Sequence, residues 1–262
     1  MMKLKSVFTI GLALAVGLSM MLYVTGCSES DPVDEGVKPI TEDLFPLVVG
    51  HKFTFSGFLR DKTTDVNIEA TGAVYEARMT VAANNAATPF GPAHVLSDSQ
   101  RVPTGIANPP TAWVVSSFYI QRDAPTGSGN FSFLTNIGRF YRLFGLSRPD
   151  SLQWIQLVKQ DAGIGVEWNG FDGTWTGPTG QVRLQIVGKI EGQESLTLGG
   201  QTFNAYKVTA TRKVYLGAST TPAQVGQTAT IWLVANLGIV KFIFNADGES
   251  NGFYREFKSK NF

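Results

Sequence analysis

Nine residues near the middle of the chain gather two carboxylates and three aromatics: Glu167-Trp168-Asn169-Gly170-Phe171-Asp172-Gly173-Thr174-Trp175. A pair of carboxylates can act as acid and base, or acid and nucleophile, on a glycosidic bond. The flat faces of Trp168 and Trp175 could stack on sugar rings, with Phe171 beside them. The same stretch has a plainer reading, because Asn-Gly and Asp-Gly are the dipeptides that tight hairpins require. Turn chemistry is the first reading, ligand binding the second and catalysis the last. Trp168, Phe171, Trp175, Glu167 and Asp172 are therefore candidate binding residues, and no residue is assigned a catalytic role.

Other chemistries lack their parts. Serine–histidine catalysis needs a nucleophile beside a positioned base. The chain has two histidines, His51 and His94, and no Gly-x-Ser-x-Gly elbow. Both histidines read as surface residues. They fall short of the three or four ligands that a zinc site needs, and His-Glu-x-x-His spacing is absent. No phosphate-cradling glycine loop followed by lysine occurs. No metal and no cofactor are expected. Arg139, Arg142 and Arg148 lie near Phe140, Tyr141 and Phe144, but strand alternation puts Arg139 and Arg142 on opposite faces. With Lys and Arg numbering 22 against 21 Asp and Glu, the chain also lacks the basic excess of a nucleic-acid binder.

The chain's single cysteine, Cys27, follows Val24-Thr25-Gly26 at the end of an apolar run from Val7 to Val24, itself preceded by Lys3 and Lys5. A positive start, an apolar core and small residues before a cleavage point make a secretory signal. The run approaches transmembrane length, so an uncleaved membrane helix is the competing reading. Val24-Thr25-Gly26-Cys27 resembles the bacterial lipobox. That resemblance implies a diacylglyceryl group on the Cys27 sulfur, cleavage before Cys27 and acylation of the new amino terminus, with palmitate as the acyl chain. Several acyl chains give firm anchoring where one is marginal. Serine at position 28, rather than aspartate, resembles an outer-membrane sorting signal, with the periplasm-facing inner membrane as the alternative. The thiol is then consumed by lipid, leaving no disulfide, no cysteine nucleophile and no cysteine metal ligand.

Charged residues make up 16% of the chain, aromatics 11%, and glycines number 28. Such a composition suits an all-β exported domain. Residues 1–26 read as the signal peptide and 27–43 as an acidic, flexible tether carrying lipidated Cys27. Residues 44–262 read as a single antiparallel β domain. Period-two segments run through 52–59, 73–81, 113–120, 131–134, 138–144, 152–159, 181–187, 195–198, 202–213, 229–235, 238–245 and 253–258. Gly199-Gly200 reads as a tight hairpin. Short strands with hairpin-length links predict a curved antiparallel sheet forming an open or partial barrel, or alternatively a β-sandwich, with little helix apart from the signal peptide. Residues 84–111, which carry Pro89, Pro92, Pro103, Pro109 and Pro110, read as one long loop of the kind that often carries function. Val49-Gly50-His51-Lys52-Phe53 and Ile164-Gly165-Val166-Glu167-Trp168 share an apolar-Gly-x-x-aromatic pattern, and Leu237-Gly238-Ile239-Val240 begins the same way. A duplicated unit would leave such an echo.

Three stretches carry a further resemblance. They are Phe45-Pro46-Leu47-Val48-Val49-Gly50-His51-Lys52-Phe53-Thr54-Phe55, then residues 192–208 around Gly199-Gly200, and finally Ile231-Trp232-Leu233-Val234-Ala235-Asn236-Leu237-Gly238-Ile239-Val240-Lys241. In order and spacing the body resembles uncharacterised envelope lipoproteins of the DUF3108/TapB-like group, of the Bacteroidetes/Chlorobi type. Gly199 stands where that group usually has proline, and Asn236 where proline is common. The resemblance implies a curved antiparallel sheet, like the open barrels of lipoprotein carriers, and brings no catalytic residues.

Together these readings lead to a non-enzymatic, lipid-anchored envelope protein. Its first expected partner, beyond the membrane lipid of its anchor, is an apolar ligand or lipid held on the concave sheet. The alternative is an interaction module for a glycan or another envelope protein, and the weakest reading is a glycan hydrolase.

Overall fold

The alternation that marks the strands also settles which residues turn inward once the strands are paired. The computed structural model describes residues 38–61, 63–64, 74–101, 113–123, 128–138, 151–177, 180–246 and 252–262. Six strands fill the first half: β1 (Lys52–Arg60), β2 (Val74–Ala86), β3 (Ala93–Arg101), β4 (Val114–Arg122), β5 (Phe131–Asn136) and β6 (Leu152–Val158). Six more follow: β7 (Glu167–Gly177), β8 (Gly180–Leu198), β9 (Gln201–Leu216), β10 (Gln224–Val234), β11 (Gly238–Phe244) and β12 (Gly252–Asn261). A single 3-10 turn at Gln160–Ala162 joins the two halves.

All twelve strands form one antiparallel sheet in the order β6-β5-β4-β3-β2-β1-β12-β11-β10-β9-β8-β7. Every hairpin pairs with its sequence neighbour, and the first strand pairs with the last from Lys52↔Asn261 to Arg60↔Gly252. The sheet thus curls into a nearly closed up-and-down barrel, and the sandwich alternative falls away because there is no second sheet among the described residues. The seam lies in mid-chain, where β6 and β7 approach without a ladder. Trp168 Nε1 donates across it to the Gln156 carbonyl at 2.9 Å. A Cβ on Gly170 would sit 2.5 Å from that same oxygen, so only glycine lets the two backbones come this close.

Phe53, Phe55, Met79, Leu96, Ile120 and Phe131 are among the buried side chains that fill the interior. Phe55 meets Phe242 edge-on at 5.5 Å, and Phe242 meets Phe253 at 5.6 Å, the offset geometry that aromatic quadrupoles favour. One end of the barrel is stoppered by the segment before β1. Ile40, Leu44, Phe45 and Leu47 are buried there, with Phe45 edge-on to Phe131 at 5.7 Å.

This stopper moves the domain boundary. Residues up to 43 were expected in the tether, but Ile40 N donates to Gln160 O at 3.1 Å and Asn236 N to Asp43 O at 2.7 Å. Gln160 Nε2 donates to Glu42 O at 2.8 Å, Tyr206 OH bonds the Glu42 carboxylate, and Arg122 pairs with Asp43 at 3.1 Å. Glu42 and Asp43, two of the acidic residues that made this stretch look solvated, pin its last residues to the barrel.

Two further expectations are corrected. The segment 84–111 is not one loop, because it contains β3. That strand turns Leu96 and Asp98 inward, and a buried aspartate disguises the alternation. Asn169-Gly170 is not a hairpin turn but a β-bulge within β7, and Asp172-Gly173 continues the same strand. The expected hairpin at Gly199-Gly200 is present, with φ of +55° and +75°. The strand expected at 138–144 lies almost wholly outside the described residues.

The glycine echo has a structural counterpart. Gly50 and Gly165 both take positive φ just before β1 and β7. Gly50 N donates to Val81 O of β2 at 2.9 Å, and Gly165 N donates to Ile190 O of β8 at 2.8 Å. Each glycine caps the partner of the strand it introduces.

Candidate functional site

The five residues singled out in the sequence divide between the two faces of β7. Phe171 and Trp175 pair with Ile186 and Val182 of β8, both buried, and pack against the core. Trp168 is buried with its ring over Gly188, where even a Cβ would come within 2.5 Å of the indole. Glu167 and Asp172 instead face outward. Glu167 lies 3.6 Å from Lys213 and is largely exposed. Arg183 Nε donates to Asp172 Oδ1 at 2.7 Å, and its Nη2 bonds the other carboxylate oxygen. The Arg183 hydrogen bonds hold the Asp172 carboxyl below the usual carboxylate range. The structure therefore brings the aromatics together on the interior side and leaves the carboxylates outside, each with a cation.

His51 stacks on Phe262 at 4.1 Å, and His94 Nδ1 lies 3.0 Å from Asn84 Oδ1. Neither bonds a serine or a carboxylate among the described residues. Cys27, Arg139, Arg142 and Arg148 lie outside them. No cluster of three or more His, Cys, Asp or Glu side chains suited to a metal occurs among the described residues.

The interior holds what the sequence reading missed. Arg255 of β12 faces inward, opposite Gly57 of β1. Its Nη1 and Nη2 donate to Asp98 Oδ1 and Oδ2 at 2.6 and 3.0 Å, Nη2 also donates to Gln100 Oε1 at 2.7 Å, and Nε donates to Tyr75 OH at 2.9 Å. The Arg255 and Asp98 side chains are 2% and 1% exposed. Burial pushes the Tyr75 phenol up, and the Arg255 charge partly offsets it. The guanidinium lies 5.2 Å from the Phe253 ring and 5.4 Å from Phe242. A Cβ at position 57 would come 3.0 Å from Arg255 Cγ and 2.3 Å from the Tyr254 carbonyl, so Gly57 is the space in which the arginine lies.

Beside this network is a chamber of about 40 Å³ whose lining is all carbon and sulfur, including Met79, Leu96, Phe118, Phe133, Phe242 and Phe253. A polar-free space of this size gives a water molecule no hydrogen-bond partner, so water is disfavoured in it even where it opens at the surface. It lies at a fork in the sheet. β4 and β5 are paired at Ile120↔Phe133, Gln121↔Ser132 and Arg122↔Phe131, and among the described residues the first half of β4 has no ladder partner on that side. Phe118 and Phe133 stand where the strands part, and Val114 and Val115 beyond them are exposed. Phe244 is shared with a second recess of about 50 Å³ that carries Arg212, Gln227 and Asn245.

No protein-family model matches the chain, and no curated protein does. Among solved structures, it is similar to a "putative lipoprotein" of Parabacteroides distasonis ATCC 8503. That match has 12% identity and a TM-score of 0.45, covering 86% of this chain and all of the other. It is also similar to a "putative exported protein with YmcC-like fold" of Bacteroides fragilis NCTC 9343, at 13% identity and a TM-score of 0.44, covering 85% of this chain and all of the other.

Proposed function

We propose that this chain is a lipid-anchored, non-enzymatic protein of the cell envelope, held through Cys27, whose barrel interior takes an apolar ligand entering between β4 and β5. The observation that carries this reading is the carbon-lined chamber at the fork of the sheet. Its surroundings reject polar groups, because the neighbouring charges of Arg255 and Asp98 are already bonded to each other. The chamber is smaller than a lipid chain, so Phe118 and Phe133 must move apart as the ligand enters. Both are only partly buried and stand at a stretch of strand with no ladder partner among the described residues, where such movement costs least. The non-enzymatic reading is supported by the division of Glu167 and Asp172 from the aromatics of their own strand.

Two measurements test it. The intact lipoprotein, extracted in detergent, should raise the fluorescence of an acyl-chain probe, and Phe133→Arg should abolish that rise while leaving the circular-dichroism spectrum unchanged. An equal response from a folded Phe133→Arg protein removes the fork as the entry. Cys27→Ala should release the protein from membranes; a variant that still fractionates with them refutes the anchor.

A further inference from the structure

A further recess, of about 370 Å³, lies at the stoppered end of the barrel, among the ends of β2 and β4 and the starts of β3 and β5. Its volume falls within the range typical of small-molecule sites, roughly 300–1,000 Å³. Its walls are polar and include His94, Gln121, Arg122, Asp123, Asn130 and Gln156.

Three side chains of this recess offer acceptors to it. Gln121 Nε2 donates to Pro92 O at 3.2 Å, which turns Oε1 away as a spare acceptor. Asn130 Nδ2 donates to Asp123 Oδ2 at 2.6 Å and to Asp161 Oδ2 at 3.3 Å. Because both partners are carboxylates, the amide cannot be reversed, and Asn130 Oδ1 is left buried with no hydrogen-bond partner. That oxygen is closed off from the recess, and the role of Asn130 is to fix the Asp123 carboxylate on the wall, through its backbone N at 2.8 Å and its Nδ2 at 2.6 Å. His94 Nδ1 faces Asn84 Oδ1 at 3.0 Å, and with the amide in that orientation the tautomer that satisfies the contact carries its proton on Nδ1. Burial, with the Arg122 charge nearby, holds the imidazole below its ordinary pKa, so the ring is neutral and Nε2 presents a lone pair. Asp123 adds a carboxylate. Arg122, the cation of the lining, is engaged by Asp43 and lies 5.1 Å from the Phe131 ring.

An anion would meet acceptors and a carboxylate here. A molecule rich in hydroxyl donors would find partners for them. An aromatic rim adjoins: Trp154 shares a face of β6 with Gln156, its indole donates to Phe90 O at 3.1 Å, and Phe90 is 42% exposed. Such rings suit the C–H face of a pyranose.

We propose that this recess binds a neutral, polyhydroxylated ligand, a sugar residue of an uncharged glycan, through His94 Nε2, Gln121 Oε1 and the Asp123 carboxylate. The site is separate from the interior chamber and does not depend on what that chamber takes.

The test is saturation-transfer NMR on the detergent-extracted full-length lipoprotein, with glucose, galactose, mannose and N-acetylglucosamine as probes and putrescine as the cationic comparison. Transfer to at least one sugar is expected. Ser132→Trp, which fills the recess, should abolish it, and Gln121→Met, which keeps the bulk and loses the acceptor, should weaken binding by about tenfold. Circular dichroism checks that each variant is folded, and Gln121→Met decides the matter if Ser132→Trp is not. Absence of transfer to all four sugars overturns the proposal. So does transfer that is undiminished in the folded variants, or binding of putrescine alone, which would make the recess an amine site.

Discussion

Arg255–Asp98 and Arg183–Asp172 are the same pair of groups, both bidentate, end-on through Nη1 and Nη2 in the first and side-on through Nε and Nη2 in the second, placed on opposite sides of the barrel wall. The interior pair is 2% and 1% exposed, while the outer pair is 41% and 28% exposed. Inside, water cannot substitute for a missing partner, and the structure supplies Tyr75 and Gln100 to occupy the remaining donors. Outside, Arg183 has only Asp172 and the Tyr215 ring at 5.2 Å, and solvent completes the rest. A buried ion pair is held together because breaking it is ruinous, and an exposed one because nothing opposes it.

The largest expected effect follows from removing one interior partner. Asp98→Ala leaves the Arg255 charge buried and uncompensated, and should cost about 3–5 kcal/mol. In a protein of this size that lowers the melting temperature by roughly 10 °C. The sharper experiment replaces both charges. Asp98→Leu with Arg255→Met should be less damaging than either single change, because no charge is then stranded. If the double variant is as unstable as the sum of the singles, the packing around Gly57, and not the charge, is what the network provides.

Arg122–Asp43 stands between the two extremes, with side chains 3% and 18% exposed. It ties the stopper to the barrel rim, so its loss should act locally. Asp43→Ala should destabilise by about 1–3 kcal/mol, the scale of a charge-assisted bond with a half-buried partner. Amide exchange should accelerate at Ile40 and Phe45 well before the strands respond. Uniform acceleration through β1 and β12 would show that the stopper belongs to the cooperative core.

The contrast also explains which parts of the molecule could be read from its residues. β8 alternates cleanly over its first half: Val182, Leu184 and Ile186 face in while Arg183 and Gln185 face out. The strands with interior charge do not. β3 turns Asp98 and Gln100 inward, and by composition it looked like part of a proline-rich loop. β7 carries Asn-Gly and Asp-Gly within a strand because the seam needs Gly170. The interior network could not be assembled from the chain at all. Arg255 is 157 residues from Asp98 and 180 from Tyr75. Whether an arginine on β12 points in or out depends on register across β1, β2 and β3, and a slip of one residue would reverse it. The recess at the stoppered end was hidden for a related reason. Its acceptors come from β3, β4 and the residue just after β4, and the Asp123 carboxylate is set in place by Asn130, which precedes β5.

The smallest effect is expected at the outer pair, where its sign can still be read. Asp172→Asn should leave the melting temperature at neutral pH unchanged within measurement, as for most exposed pairs. The Arg183 hydrogen bonds depress the folded-state Asp172 carboxyl, so its contribution is present above the unfolded-state value and is lost as pH falls through the folded one. Wild type should therefore lose slightly more stability than Asp172→Asn between mildly acidic conditions and the folded-state pKa, and salt should shrink the difference. Arg255–Asp98 should show no such salt sensitivity, because the barrel wall keeps ions from it. A salt-sensitive interior pair together with a salt-insensitive outer one would mean that solvent reaches Asp98 through the β4–β5 fork, and the chamber beside it would then hold water.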